Sequence, residues 1–180
     1  MDIGVISTRY AKSLLKFSTE NREEQKVYEE MQILSENFRR VPALQEALKN
    51  PVYTDAAKIE LLKSATGGES TTTRSIQRFY ELLVEHRRAD YMVFIANSYI
   101  TLYREDKNIL KSKLTVPVPV SDSVCEKLKR IVEKESNRLV DFDIQVDKEI
   151  MGGFILEYGT YQLDASLRTQ LAKLHRTIRN

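Results

Sequence analysis

The strongest candidates for chemistry lie in residues 151–180, MGGFILEYGTYQLDASLRTQLAKLHRTIRN, where a glycine pair leads into an apolar run and a helix follows. Glycines beside a helix can cradle phosphate, or they can simply let the chain turn. A phosphate loop needs G-x-x-x-x-G-K-[ST], with the lysine reaching the phosphates, and a dinucleotide fingerprint needs G-x-G-x-x-G opening a helix. Gly152 and Gly153 are followed instead by Phe154 and a strand-like run, with no lysine and no helix start. They read as a turn between two strands that uses positive φ. Gly67-Gly68 likewise lacks a phosphate-loop lysine.

Other reactive residue types are as sparse. Cys125 is the single cysteine, which fits a reducing compartment and excludes an intramolecular disulfide. With His86 and His175 it gives too few soft ligands, badly spaced, for zinc. His86 lies in EHRRAD at a predicted helix end, facing the helix dipole, and His175 falls on the polar side of the last helix. No serine occupies a G-x-S-x-G elbow. Glu23-Glu24 and Glu29-Glu30 read as a solvated face, and HRR and KLKR as helix surface. The residues thus predict no catalytic site, no cofactor, no metal and no small-molecule substrate. A formal net charge of +2 is too small for an electrostatic nucleic-acid binder. No apolar run approaches 18 residues, and the N-terminus lacks the pattern of a signal or transit peptide. Any work at a membrane therefore falls to other chains.

The elements around these residues change character once along the chain. Ile6, Tyr10, Leu14 and Phe17 recur on one helical face, as do Val27, Met31, Leu34 and Phe38. Pro42 suits the first turn of a short third helix with Leu44 and Leu48, which stops at Asn50 before Pro51. Thr54 caps a fourth helix with Ile59 and Leu62 inward, ended by Gly67 and Gly68. A fifth runs from about Thr72 to Glu85 with Ile76, Phe79, Tyr80, Leu83 and Val84 on its apolar side. Asp90 caps a sixth, with Met92, Ile95, Tyr99 and Leu102 inward.

After Lys107 the pattern alternates. ILKSKLTVPVPV, LVDFDIQVD (half-buried) and FILEY read as strands. A helix capped by Ser121 or Ser123, carrying Val124, Leu128, Ile131 and Val132, lies between the first two. The last helix, capped by Asp164, presents Leu167, Leu171, Leu174 and Ile178 to the sheet. The predicted fold is mostly α: an N-terminal six-helix bundle over residues 1–107 and a small C-terminal α+β module over 108–180. The residues alone describe a two-module interaction protein; an unrelated helical-bundle adaptor or regulator fits them, and so does an enzyme whose site is assembled from scattered polar groups.

Three stretches carry a more specific resemblance. RYAKSLLKFS, FYELLVEHRRAD and above all GGFILEYGTYQLDASLRTQLAKL are similar in type, order and spacing to the delta subunit family of F-type ATP synthases, counterparts of the mitochondrial oligomycin-sensitivity-conferring protein. Ala165 departs from the family's usual glycine, and Ser13 from a common alanine. The resemblance implies a non-catalytic stator subunit of the peripheral stalk that couples proton translocation to ATP synthesis. It implies a location on the cytoplasmic face of the bacterial inner membrane, reached only through the complex. It implies that the bundle takes the N-terminal helix of an alpha subunit in a groove between its first and fifth helices, while the C-terminal module meets the b subunits of the stalk. Tyr10, Leu14, Phe17, Phe79, Leu82 and Leu83 are then the groove candidates. Leu14, Phe17 and Leu83 suit bundle core and groove equally. Tyr10 favours the groove, because its hydroxyl needs a polar or wet end.

Overall fold

The 3.6-residue periodicity of the first hundred residues is realised as helices α1 (Ile3–Glu20), α2 (Glu24–Arg40), α3 (Ala43–Lys49), α4 (Asp55–Thr66), α5 (Arg74–Glu85) and α6 (Met92–Asp106). The structure is a computed structural model describing residues 3–68, 72–136 and 138–179, without the side chains of residues 122, 135, 136 and 176–179. The chain is mostly helical, with a small four-stranded mixed sheet, and divides into two compact units, Met1–Glu105 and Asp106–Asn180.

In the first unit the predicted stripes meet. Leu14, Met31, Leu34, Leu62, Ile76, Leu83, Met92 and Ile95 are all fully buried. Thr54 caps α4, its side chain accepting the Ala57 N–H. Gly67, at φ 125°, ends α4 in a conformation that a Cβ disfavours. Asp90 does not cap α6; it sits in a 3-10 turn, Ala89–Tyr91, that leads into Met92.

Buried hydroxyls fix the helices against one another. Tyr80 Oη lies 2.5 Å from Thr66 Oγ1, and Thr66 donates to the Leu62 carbonyl at 2.7 Å, tying α5 to α4. Tyr99 Oη lies 3.0 Å from Ser18 Oγ and donates to the Glu24 carbonyl, tying α6 to α1 and α2. Burial pushes both phenols well above the usual tyrosine value, so both stay protonated. Tyr103 stacks on Tyr28 with centroids 4.3 Å apart.

The largest departure from expectation in this unit is Glu30, which is buried rather than solvated. The N-cap of α5 is Thr73, one residue beyond the expected helix start near Thr72. Glu30 accepts hydrogen bonds from the Thr73 N–H at 2.6 Å and the Thr73 hydroxyl at 2.8 Å. The same hydroxyl oxygen accepts the Ile76 N–H. Glu23, the N-cap residue of α2, accepts the Ser75 N–H at 3.0 Å. A carboxylate within α2 and one at its N-cap thus satisfy open N–H groups and the dipole at the start of α5.

The second unit holds β1 (Ile109–Val116), α7 (Asp122–Ser136), β2 (Leu139–Val146), β3 (Ile155–Tyr158), β4 (Tyr161–Asp164) and α8 (Leu167–Arg179). The strand order is β2-β1-β3-β4: β1 pairs parallel with β2 across the α7 crossover, and antiparallel with β3. β4, absent from the sequence reading, pairs antiparallel with β3 through Tyr158 and Tyr161. The core is Leu114, Val116, Val132, Val140 and Leu156. β2 is an edge strand, so Ile144 and Val146 are exposed, as are Val124 and Ile131 on α7.

Gly152 and Gly153 do serve a turn, for a reason of packing. Gly153 has φ 74°, and a Cβ there would overlap the Ala165 carbonyl oxygen; one on Gly152 would overlap Leu167. The close approach lets the Leu167 N–H donate to the Gly152 carbonyl and the Ala165 N–H to Phe154. The start of α8 is thereby docked against the turn. Ser166, not Asp164, caps α8, its hydroxyl accepting the Thr169 N–H. Asp164 braces that cap, and hydrogen bonds from Ser166 and Thr169 hold its carboxyl down at about 2.

Burial raises the pKa of Glu30, against the lowering effect of the Thr73 hydrogen bonds. The folded state therefore holds this proton more tightly than the unfolded chain. That contribution to stability is complete below the unfolded value of 4.5 and is lost as pH rises through the higher folded one. Urea unfolding between about pH 4 and 7 should show wild type losing stability relative to Glu30→Gln as pH rises. A difference that stays flat, or has the opposite slope, would contradict the assignment.

Candidate partner-binding groove

α5 carries apolar residues around more of its circumference than one core seam needs. Ile76, Tyr80, Leu83 and Val84 face the interior. Leu82 instead forms a wall beside α1, Tyr10 and Phe17 form the opposite wall, and Phe79 and Leu14 lie between them. The cavity between them has a volume of about 480 Å³. Tyr10 and Phe79 meet edge to face across it, with centroids 6.2 Å apart.

Exposure separates the six candidates. Phe17 and Leu82 are 41% and 40% exposed, a large apolar surface for residues of this type. Tyr10 is half-buried at the groove's side. Phe79 and Leu14 are 7% and 1% exposed and form the floor. Leu83 is fully buried and does not line the groove; its position, one residue beyond Leu82, turns it about 100° around the helix into the core.

The groove continues past Phe17 toward the start of α5, where a second cavity is lined by Phe17, Asn21, Arg74, Gln77, Arg78 and Glu81. Twelve helical residues span about 18 Å, so the channel is about three turns of helix long. Its polar edge was not anticipated. Arg9, Arg78, His86 and Arg88 border the first stretch, and the Arg88 guanidinium lies 5.4 Å from the Tyr10 ring centroid. Among the described residues no group of three or more His, Cys, Asp or Glu is arranged to hold a metal. A trough of this length, apolar in its first stretch and polar in its second, suits an amphipathic helix laid along it.

Comparison with known proteins bears on what that trough is for. The sequence profile of the ATP synthase delta (OSCP) subunit family matches residues 6–178. The chain belongs to the ATP synthase delta (OSCP) subunit family. An ATP synthase subunit delta of Phocaeicola vulgatus is 42% identical over 174 residues, covering 97% of this chain and 94% of the relative. One of Parabacteroides distasonis is 39% identical over 171 residues, covering 95% and 94%. A chain in the Toxoplasma gondii mitochondrial ATP synthase hexamer shares the fold, with a TM-score of 0.63 at 16% identity and 97% coverage of both chains. The expected stator role in an ATP synthase therefore stands, and the unrelated adaptor does not.

For an ATP synthase delta (OSCP) subunit, groove and core must be separable by mutation. Leu83→Ala should lower the free energy of unfolding by about 2–5 kcal/mol. Phe17→Ala and Leu82→Ala should each lower it by less than about 1 kcal/mol. Urea denaturation of the three variants measures this, and equal losses would place Phe17 and Leu82 in the core.

Proposed function

We propose that this chain is a non-catalytic coupling subunit, joining the catalytic head of the synthase to its peripheral stalk. The observation that carries the reading is the open apolar groove between α1 and α5 in a member of this family. In this reading the first unit is the six-helix bundle of the family, and Tyr10, Leu14, Phe17, Phe79 and Leu82 take up the N-terminal helix of an alpha subunit. Leu83 supports the floor from beneath.

The second unit supplies the grip on the b subunits. Two features support that assignment. The sheet face beside α7 is open toward β3 and β4, a trough lined by Ile131, Phe154, Tyr161 and Leu163 among others. α8 does not cover it: Leu167, Leu171 and Leu174 are 46%, 54% and 59% exposed, contrary to the expected packing on the sheet. Ile178, the fourth stripe position, lies outside the described side chains. An amphipathic helix with its leucines in water fits a surface completed by partner helices.

No helix among the described residues is long and apolar enough to cross a membrane. We place the subunit at the cytoplasmic face of the bacterial inner membrane, held there by its partners.

The physical task is to resist torque. Proton flow turns a rotor, and the head delivers useful work only if it does not turn with it. Buried apolar anchors in a groove give a directional attachment, since truncating one costs about 2 kcal/mol or more of binding. Synthase stripped of this chain should still hydrolyse ATP but lose ATP-driven proton pumping, and the full chain should restore pumping. Phe17→Asp with Leu82→Asp should abolish that restoration by failing to bind the head. Leu171→Asp with Leu174→Asp should bind the head and still fail to restore pumping. Loss of ATP hydrolysis on removing the chain, or full restoration by either variant, would overturn the reading.

A further inference from the structure

The groove's first stretch is bordered by three arginines and a histidine, and by no carboxylate. Arg9 and Arg88 have no carboxylate partner among the described residues. Arg88 is held over the Tyr10 ring, which fixes its guanidinium at the groove's edge before anything binds. Farther along, Arg74 and Arg78 flank the second stretch. Glu81 is the single carboxylate there, and it is occupied by Arg78 at 2.9 Å. The first stretch has an apolar floor, the second is polar beyond Phe17, and the cations spaced along both leave the rim net positive despite Glu81. Its complement is a helix carrying an apolar ridge between acidic positions.

We propose that the groove selects an amphipathic helix whose apolar ridge is flanked by carboxylates, and that Arg9 and Arg88, with Arg74, are the residues that read them. The proposal rests on the helix-docking role above and adds the chemistry of the docked partner. The apolar walls supply the burial. The arginines, with planar forks that match carboxylates, set register and reject a basic helix. Such rim pairs are solvent-exposed, so each contributes a factor of about 1.5 to 5 in affinity, and several together about tenfold. They are also screened by salt.

The test uses the full chain and three synthetic helical peptides of about 18 residues sharing one leucine ridge at i, i+3, i+4 and i+7, with glutamate, glutamine or lysine flanks. Fluorescence anisotropy at low salt should show the glutamate peptide binding about tenfold more tightly than the glutamine peptide, and the lysine peptide most weakly. Raising the salt toward about 0.5 M should collapse the difference. The double variant Arg9→Gln with Arg88→Gln should weaken the glutamate peptide severalfold and leave the glutamine peptide unchanged, with an unaltered thermal melt. Equal affinity of the three peptides, or a preference for lysine, overturns the electrostatic proposal even where Phe17→Asp with Leu82→Asp still abolishes binding. Absence of binding by every peptide, or binding indifferent to Phe17 and Leu82, overturns the docking role together with it.

Discussion

One buried carboxylate holds the element on which the groove depends. Glu30 reaches from α2 to the first turn of α5 and accepts both the N–H and the hydroxyl of Thr73. That hydroxyl in turn caps Ile76. A buried charge is tolerated only when its lone pairs are used, and here α5 supplies the donors. Glu23 adds the Ser75 N–H, and Asn21, just past α1, donates to the Ser75 hydroxyl. The start of α5 is pinned to α2 and to the end of α1. The far half of α5 is then fixed by Tyr80 on Thr66. With both halves held by polar contacts, the apolar surface facing α1 need not close to stabilise the unit.

That division of labour explains why α5 can be apolar on two sides. Leu83 and Leu82 are neighbours in sequence and opposite in fate: one is in the core, the other is 40% exposed. Hydrophobic burial alone would favour collapsing Phe17 onto Leu82. Pinning the helix elsewhere leaves the trough open and pre-formed, which lowers the ordering cost of taking up a partner. The second unit uses a different device. There the close approach of Gly153 to Ala165 and of Gly152 to Leu167 docks only the first turn of α8, and the leucines beyond it project into solvent.

Much of this was legible in the sequence, because apolar period reports burial. The helices of the first unit, the β1 and β3 strands and the Thr54 cap follow directly from it. What was missed has a common physical origin: it lies in contacts between distant residues. Glu30 reads as solvent-facing beside Glu29, and only Thr73, 43 positions away, makes its burial possible. β4 is four residues long with Tyr161 and Leu163 exposed, so it has no burial pattern to betray it. The stripe of α8 is real, but periodicity gives a helix's apolar face and not what covers it. Likewise the groove's apolar residues were named through the family resemblance, whereas its arginine edge needed the antiparallel placement of α1 and α5 that brings Arg9 near Arg88.

If the groove docks a helix of the head, the surface between α1 and α5 is covered in the assembled synthase. Cys125 is the only native thiol, so Cys125→Ser with Leu82→Cys gives a single reporter on the groove wall. The rate of maleimide modification is then compared between the free chain and the same chain in the assembled complex. Docking at this groove predicts rapid labelling when free and labelling slowed by more than about tenfold on assembly, as for a side chain at the dry centre of an interface. An unchanged rate would contradict it, because the groove would then be open to solvent while the subunit is doing its work.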